Sequence, residues 1–367
     1  MIEVRVAVTP APGAPPEMRR LAIRAPVGQE VLVRIAGVGI CHSDLNFMGG
    51  AAPYPFPAVF GHEGAGRVVA VGEAVTRVRV GDAVVMSFRA CGACRPCERH
   101  LPGYCRDFGA LNLSGSRPGA APSFAAPDEG VAGGFFGQSS FADLALASED
   151  NLVVVEAGDA ELAMLGPLGC GVQTGAGTVM RALACSAGSS LLVLGAGGVG
   201  LSAVMGAAVQ QCGIVVVVEP VAARRALALE LGATHAIDPA AGDMGAAIAA
   251  ILPDGADHVV DTTGITALLD VGLAALAPRG TLALVAMSAR GAPLPGDPSG
   301  LIGRGASIRG VVEGDCDPQD FIPVLLALHR EGRLPFDRFT TVYPLAEIGR
   351  AIEDQRAGRI IKAVLRP

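Results

Sequence analysis

The fold of this chain is decided by the segment Ser190-Leu-Leu-Val-Leu-Gly195-Ala-Gly197-Gly-Val-Gly200, which reads as a strand, a tight turn and the start of a helix. Glycines in the pattern Gly-x-Gly-x-x-Gly let the backbone approach a pyrophosphate at a helix N-terminus, where free N–H groups point outward. A second apolar run, 213–218, ends in a carboxylate at Glu219, where an acidic group is expected to bind the adenosine ribose. The predicted dinucleotide site comprises Gly195, Gly197, Gly198, Val199, Gly200 and Glu219.

The segments that follow alternate between strand and helix patterns. Residues 257–264 and 281–287 have the apolar composition of strands, and 221–231 and 265–276 have helical patterns. This alternation predicts an α/β fold with a doubly wound parallel sheet. The first half of the chain has short apolar runs rich in Val, Gly and Pro, which indicates a mostly-β unit. Residues 112–134 are rich in Gly, Ala and Pro, and are predicted to form a surface loop without chemistry.

Composition excludes several classes of protein. With 51% hydrophobic and 17% charged residues, the chain of 367 residues is not intrinsically disordered. A net charge of −7 without a basic block argues against nucleic acid as a partner. The uncharged stretch 182–218 is interrupted by glycines, so we interpret it as strand, helix and strand rather than a membrane span. Residues 1–8 lack the apolar core of a signal peptide, so we expect a cytoplasmic protein.

Nine cysteines require an explanation, because disulfides seldom persist in a reducing compartment. Four of them follow the spacing C-x2-C-x2-C-x7-C, at Cys91, Cys94, Cys97 and Cys105. Four thiolates complete a tetrahedral zinc site without an open position, so this zinc would be structural. An iron–sulfur cluster also uses four thiolates and is the chemical alternative. Three further cysteines are interpreted as buried small residues without function: Cys185, Cys212 and Cys316.

Three more potential metal ligands lie next to glycines in remote segments. These are Cys41 in Gly39-Ile-Cys-His-Ser-Asp, His62 in Gly61-His-Glu-Gly, and Cys170 in Gly169-Cys-Gly. Two thiolates and one imidazole leave the fourth zinc position open for water or substrate, as a catalytic site requires. Spacing alone does not link the three residues, since a lone cysteine or histidine is more often a core residue.

A family resemblance does link them. Gly61-His62-Glu63-x-x-Gly66, with Gly72 and Val75, resembles the signature of zinc-containing medium-chain alcohol dehydrogenases. The four-cysteine loop and the glycine motif follow in that family's order, and the resemblance covers essentially the whole chain. The segments 39–45, 135–141 and 166–175 look most like the benzyl- or aryl-alcohol dehydrogenase branch. The resemblance implies a discontinuous GroES-like catalytic domain, 1–166 and 308–367, and a Rossmann cofactor domain, 167–307.

The same resemblance assigns roles at the catalytic metal. It implies that Cys41, His62 and Cys170 hold a catalytic zinc, and that Asp44 orients His62. Glu63 is implied to be a nearby carboxylate that enters the zinc shell transiently. Ser43 is implied to be the first proton-relay partner. Asn46 stands where the best-known members have the histidine that ends the relay.

The resemblance also assigns cofactor contacts. Glu219 favours NAD, since its carboxylate would repel the 2′-phosphate of NADP. Family members that use NAD also have a basic residue at the position of Arg224. His42 and Lys362 match positions that contact the pyrophosphate, and Thr174 is placed in the cofactor site by the same likeness. The expected cofactors are therefore NAD and two zinc ions per chain, one catalytic and one structural.

The expected reaction is the reversible, zinc-dependent, NAD-linked oxidation of a primary aryl or allylic alcohol to its aldehyde. Three phenylalanines near the metal motifs are candidates for an apolar substrate wall: Phe47, Phe60 and Phe88. Alternative activities are a dehydrogenase of thiol–formaldehyde adducts and a dehydrogenase of polyols or secondary alcohols. A non-enzymatic zinc- or NAD-binding protein is the alternative from another class. The expected partner is a small-molecule alcohol, without nucleic acid or membrane, and the expected assembly is a homodimer or homotetramer.

Overall fold

Strands dominate the first half of the chain, and strands alternate with helices in the second half. The computed structural model describes residues 1–117, 121–125 and 130–367. The strands, in chain order, are β1 Ile2–Thr9, β2 Glu17–Ile23, β3 Glu30–Gly39, β4 Ala58–Val59, β5 Glu63–Val71, β6 Ala83–Met86, β7 Phe124–Ala125, β8 Leu144–Ser148, β9 Leu152–Val155, β10 Ser190–Leu194, β11 Ile214–Val218, β12 His235–Ile237, β13 Ala256–Asp261, β14 Leu276–Leu284, β15 Ser307–Gly310, β16 Thr340–Pro344 and β17 Lys362–Arg366. The α-helices are α1 His42–Met48, α2 Arg95–Glu98, α3 Phe108–Asn112, α4 Asp159–Leu162, α5 Gly171–Gly177, α6 Gly198–Val209, α7 Ala222–Glu230, α8 Met244–Ile251, α9 Thr266–Ala274, α10 Pro298–Arg304, α11 Pro318–Arg330 and α12 Ile348–Arg356.

The chain divides into two compact units. One comprises Met1–Cys170, Asp317–Val324 and Asp337–Pro367, and the other comprises Gly171–Cys316 and Leu325–Phe336. The domain boundaries at 166 and 307 stay predictions. The units differ from them in residues 167–170, which belong to the first unit, and in residues 308–316 and 325–336, which belong to the second. Strand β15 lies at the start of the segment 308–316 and pairs with β14, so it extends the sheet of the second unit.

The first unit is mostly β, as predicted. One sheet has the order β4-β1-β2-β7, and a larger one has the order β16-β17-β3-β5-β6-β9, with β8 also paired to β3. Alternating apolar residues such as Val6 and Val8 of β1 pack with Leu32 of β3 into one core that includes Phe60 and Phe141. The packing of this core positions the start of β5 and the connection from β3 to α1.

The second unit contains a six-stranded parallel sheet of order β12-β11-β10-β13-β14-β15, which confirms the doubly wound α/β prediction. The runs Ser190–Leu194 and Ile214–Val218 are apolar almost throughout because helices cover both faces of such a sheet. Strand order reverses between β10 and β13, and ligands bind at this point in doubly wound sheets. The glycine motif begins directly after β10.

The uncharged stretch 182–218 forms β10, α6 and β11, as interpreted from its glycines. Across the described residues, every helix falls short of the length and apolarity that a bilayer crossing demands.

The prediction of a surface loop over 112–134 is wrong for some of the described residues, since Ser114, Ser116 and Pro122 are exposed but others in the segment are buried. Asn112 is buried and bonds with both its amide N and O to the backbone of Arg89. Arg117 is also buried, and its guanidinium donates to the Gly137 and Leu146 carbonyls and to Ser148 Oγ. The composition of the segment does not reveal this burial, because one inward-pointing arginine is enough to bind a Gly-rich segment to the core. Residues 118–120 and 126–129 lie outside the described part of the chain.

Candidate active site

Three remote segments of the first unit bring potential metal ligands together. Cys41 precedes α1, His62 precedes β5, and Cys170 follows a short 3-10 segment, Gly166–Gly169. Their ligand atoms, with a carboxylate oxygen of Glu63, all lie within 4.8 Å of one another. The fold therefore unites the three residues that spacing alone did not link.

The imidazole of His62 is held in one orientation by Asp44. Nδ1 lies 2.8 Å from Asp44 Oδ1, and the same carboxylate accepts the backbone N–H groups of Cys41 (2.9 Å) and Gly61 (3.1 Å). Both side chains are fully buried. A carboxylate beside Nδ1 fixes the proton there and leaves the Nε2 lone pair available.

That Nε2 atom is buried and finds no hydrogen-bond partner among the described residues. A hydrogen bond with Cys170 lowers the pKa of the Cys41 thiol, which favours the thiolate form that zinc requires. An orphaned imidazole nitrogen beside two thiols has the donor chemistry of a zinc site with three protein ligands. The residues present therefore fit a metal of the catalytic type.

Glu63 and Lys362 form a buried ion pair next to these ligands. Lys362 Nζ lies 2.8 Å from each carboxylate oxygen and donates to the Ile40 carbonyl at 3.1 Å. Burial raises the pKa of Glu63 to about 7, and the Lys362 ammonium opposes that rise. Lys362 was expected at a pyrophosphate; its amine contacts Glu63 instead, and the cofactor role stays a prediction.

The four-cysteine loop also converges. The sulfur atoms of Cys91, Cys94, Cys97 and Cys105 lie within 4.8 Å of one another, and none of the four forms a disulfide. The Arg106 N–H lies 3.5 Å from Cys94 Sγ, and this contact and the Cys97 N–H lower the pKa of that thiol to about 6. Backbone N–H groups aimed at sulfur stabilise thiolates. The loop therefore fits a closed, structural metal site.

In the second unit, the glycine motif has the geometry that a close backbone approach requires. Gly195 has φ of +95°, and a Cβ on Gly200 would come within 1.9 Å of the Gly195 carbonyl oxygen. Both positions therefore exclude a side chain. Helix α6 begins at Gly198, so Val199 and Gly200 occupy its first turn, whose N–H groups are free for an anion.

Glu219 follows β11 and is buried. Its carboxylate accepts from the N–H groups of Ala196 (2.8 Å) and Val221 (2.9 Å), so it also holds the turn of the glycine motif in place. Arg225 is engaged by Asp238 at 2.8 Å and by the Glu219 carbonyl, whereas Arg224 is partly exposed beside it. The sequence prediction did not include this structural role of Glu219.

The other predicted contacts are positioned as follows. Thr174 is buried in α5, and its hydroxyl donates to Glu313 at 3.2 Å. His42 and Ser43 occupy the first turn of α1, where His42 is exposed and Ser43 partly exposed. These cofactor and relay roles stay predictions.

Sequence reasoning missed Phe136. Its ring stacks on the His62 imidazole at a centroid distance of 4.4 Å, and its backbone has φ of +49°, an uncommon value for a bulky residue. Phe47 and Phe60 instead surround Phe135 at 5.2 and 5.0 Å, and Phe88 packs on Phe108 at 5.6 Å. The pair Phe135-Phe136 was visible in the sequence, but a stacking contact across 74 positions leaves no local pattern.

Comparison with known proteins identifies the architecture of both units. Residues 28–157 match the alcohol dehydrogenase GroES-like domain, and residues 198–330 match the zinc-binding dehydrogenase domain. Geraniol dehydrogenase of Castellaniella defragrans is 46% identical over 366 residues, which cover 99% of this chain and 98% of that protein. The crystal structure of benzyl alcohol dehydrogenase from Acinetobacter calcoaceticus superposes with a TM-score of 0.95 at 40% identity, covering 100% and 99% of the two chains. That of an alcohol dehydrogenase zinc-binding domain protein from Burkholderia ambifaria gives 0.97 at 45% identity, with the same coverage.

Proposed function

This chain belongs to the zinc-dependent medium-chain alcohol dehydrogenases and is an oxidoreductase, and from that premise we propose its substrate, cofactor and metal content. The proposed reaction is the reversible oxidation of a primary aryl or allylic alcohol, including terpenoid alcohols, to the aldehyde. The proposed hydride acceptor is NAD, and the proposed metal content is one catalytic and one structural zinc ion per chain.

One observation carries the proposal: two thiols and an orphaned imidazole nitrogen, from Cys41, Cys170 and His62, converge within 4.8 Å. Three protein ligands leave the fourth position of a zinc ion open to a substrate oxygen. When bound, zinc supplies the Lewis acidity that lowers the pKa of an alcohol, and NAD supplies the hydride acceptor.

The side chains around this position have distinct roles. Asp44 keeps His62 in the tautomer whose Nε2 lone pair is available to bind the metal. Lys362 neutralises the charge of Glu63, which otherwise lies buried beside the ligands. Ser43 in the first turn of α1 would accept the proton of the alcohol while its own hydroxyl proton passes to water. Water is the proposed end of this relay because the Asn46 amide does not titrate usefully.

The substrate class is supported by the aromatic surroundings of His62 and by two relatives. Phe136 stacks on the His62 imidazole, and its ring centroid lies 4.9 Å from that of Phe135. The predicted metal ligand His62 therefore has aromatic neighbours, and aromatic rings favour contacts with planar, unsaturated groups of a substrate. Similar proteins are named for geraniol, an allylic terpenoid alcohol, and for benzyl alcohol, an aryl one. Both are primary alcohols with a double bond or ring next to the reacting carbon.

The preference for NAD is supported by Glu219. Its carboxylate is buried directly after β11 and accepts the Ala196 N–H of the motif turn, and an acidic group at this position is expected to bind the adenosine ribose. A 2′-phosphate at the same place would be repelled. Reduced thiols in both metal sets support a cytoplasmic location.

Initial rates of reduced-cofactor formation test the proposal. Benzyl, cinnamyl and geranyl alcohols with NAD should give kcat/KM values well above those for hexanol or sorbitol, and NAD should exceed NADP at least tenfold. Cys170→Ser should abolish turnover, whereas Cys316→Ser should retain it. Activity only in the presence of added thiol with formaldehyde would instead identify a dehydrogenase of thiol adducts. Full folding and zinc binding without turnover of any alcohol would indicate a non-enzymatic protein.

A further inference from the structure

Two cysteines outside both metal sets lie on neighbouring segments, at the end of the parallel sheet where β10 and β11 begin. Cys185 is on the segment that leads into β10, and Cys212 is on the turn between α6 and β11. Both are free thiols. Cys185 is 1% exposed, as predicted for a buried residue, whereas Cys212 is partly exposed, so the prediction that Cys212 is buried is wrong.

Hydrogen bonds hold the two segments together. Gln210 Nε2 donates to the Cys185 carbonyl at 2.9 Å, the Gly188 N–H donates to the Gln211 carbonyl at 2.9 Å, and the Gly213 N–H donates to the Ser189 carbonyl at 2.9 Å. Ser189 Oγ lies 3.9 Å from Cys212 Sγ, and the Cys185 and Cys212 thiols are near enough that each shifts the pKa of the other. A left-handed residue precedes each cysteine, Ala184 at φ of +47° and Gln211 at +59°, so each thiol follows a sharp turn.

We propose that Cys185 and Cys212 form a redox-active dithiol, in which the partly exposed Cys212 reacts with a hydroperoxide and the buried Cys185 resolves it to an intramolecular disulfide. The hydrogen bonds that join both turns keep the segment of Cys185 beside the segment of Cys212, which brings the resolving thiol into the neighbourhood of the reactive one. The site is independent of the proposed alcohol oxidation.

The chemistry balances with a hydroperoxide as the oxidant. The Cys212 thiolate attacks the peroxide, so an S–O bond forms, the O–O bond breaks, and the alcohol or water leaves with a proton from solvent. Cys185 then attacks the sulfenic sulfur, so the S–S bond forms and the S–O bond breaks. The Cys185 proton leaves with the hydroxide as water. Two thiols lose two electrons, and the hydroperoxide gains them.

The electrostatics of the pair assign the two roles. The neighbouring Cys185 thiol lowers the pKa of Cys212 to about 7, against the opposing effects of burial and of the Asp257 carboxylate. The Cys212 thiol in turn raises the pKa of Cys185, so Cys185 stays the protonated partner. A thiol with a pKa near neutrality is a reactive nucleophile at physiological pH.

The location predicts the consequence of oxidation. Both cysteines lie at the end of the sheet where β10 and β11 begin, whereas the glycine motif lies at the opposite end, after the last residue of β10. The bridge would join the start of β10 to the turn before β11, and would therefore restrain the second unit without touching the motif. Oxidised protein should bind NADH with unchanged affinity and unfold at a higher temperature than reduced protein.

Peptide mapping of the zinc-loaded protein tests the proposal. The protein is treated with equimolar hydrogen peroxide, alkylated without reduction, digested and analysed by mass spectrometry. We expect a Cys185–Cys212 crosslinked peptide pair that disappears with dithiothreitol. Cys185→Ser should stop the reaction at a Cys212 sulfenic acid that dimedone labels. Cys316→Ser is the matched control and should keep the crosslink.

Two results would overturn the inference. The first is a peroxide-treated wild type in which Cys212 is still alkylated while the zinc-site cysteines are already oxidised. The second is a Cys212 that is oxidised at the same rate in wild type and Cys185→Ser, without a bridge to Cys185 in either. The first result is measured on the wild-type protein alone. The second also requires the Cys185→Ser variant, which needs only to be soluble enough for digestion.

Discussion

Lys362 Nζ lies 2.8 Å from both carboxylate oxygens of Glu63, and the two side chains are 5% and 0% exposed. The pair joins the start of β17, near the end of the chain, to the first residue of β5, directly after His62. A buried carboxylate without its cation is costly, because desolvation is then not offset by Coulomb attraction. The ion pair therefore links β17 to the segment that carries His62, the predicted metal ligand, and loss of either partner should be costly.

Lys362→Met should lower the free energy of unfolding by about 3–5 kcal/mol, because it removes the cation that offsets the burial of the Glu63 carboxylate. Thermal or urea unfolding of the zinc-loaded protein measures this loss. The double variant Lys362→Met with Glu63→Gln should recover most of it, since neither charge remains. A single variant as stable as wild type would show that the pair contributes nothing.

Asp44→Asn should weaken zinc affinity at the catalytic site by about 10–100-fold, since the negative charge that orients His62 is lost. Competition with a chromophoric chelator measures the affinity of each site. Asp159→Asn removes a carboxylate of equal size from an exposed pair with Arg67 and is the matched control, for which no change is expected. Equal affinities for both variants would rule out the orienting role of Asp44.

Cys94→Ser should reduce the zinc content by one ion per chain, because three thiolates no longer close the tetrahedral site. It should also lower Tm, since the loop depends on the metal for its folding. Metal analysis after gel filtration measures the stoichiometry. Cys185→Ser is the control and should keep two zinc ions. Retention of two ions by Cys94→Ser would contradict the assignment of the loop.

Phe136→Leu should reduce the kcat/KM ratio of cinnamyl alcohol over hexanol by about two- to tenfold, the value of one aromatic contact. Steady-state kinetics with both alcohols measures the ratio. Phe336→Leu makes the same change at a buried ring that contacts His329, and should leave the ratio unchanged. An unchanged ratio in Phe136→Leu would mean that the ring supports His62 without selecting the substrate.

The surroundings of Glu30 predict that the free energy of unfolding depends on pH. Burial acts to raise the pKa of Glu30, but the Arg24 guanidinium at 2.5 Å, the Val27 N–H and Arg117 outweigh it and lower that pKa. The folded pKa is depressed, so the stability from ionised Glu30 is complete above the unfolded value of about 4.3. It is lost as the pH falls through the lower folded value.

Glu30→Gln should therefore cost about 2 kcal/mol near pH 7, the value of hydrogen bonds to a charged group. The difference in Tm between wild type and variant should shrink as the pH falls below about 4. Calorimetry between pH 3 and 7 measures it. A difference that stays constant over this range would show that ionisation of Glu30 does not contribute.

Most of the fold could be predicted from local patterns. The runs that form β10 and β11 are apolar because both faces of a parallel strand are buried, and the glycines of the motif are required by backbone geometry at Gly195 and Gly200. The wrong prediction over 112–134 came from composition, which does not reveal that Arg117 points inward. The family resemblance, and no local pattern, predicted which residues would hold the catalytic zinc, and the comparisons confirm that family.

The sequence by itself determined the parallel sheet, the glycine motif and the four-thiol loop, because each depends on residues that are close together along the chain. Only the tertiary structure decided which distant side chains meet. It placed Cys41, His62 and Cys170 within 4.8 Å, turned Nε2 of His62 away from Asp44, paired Lys362 with Glu63, and stacked Phe136 on the imidazole. Contacts of this kind depend on how sheets pack and where strands begin, and strand pairing across hundreds of residues leaves no periodic signal in the sequence.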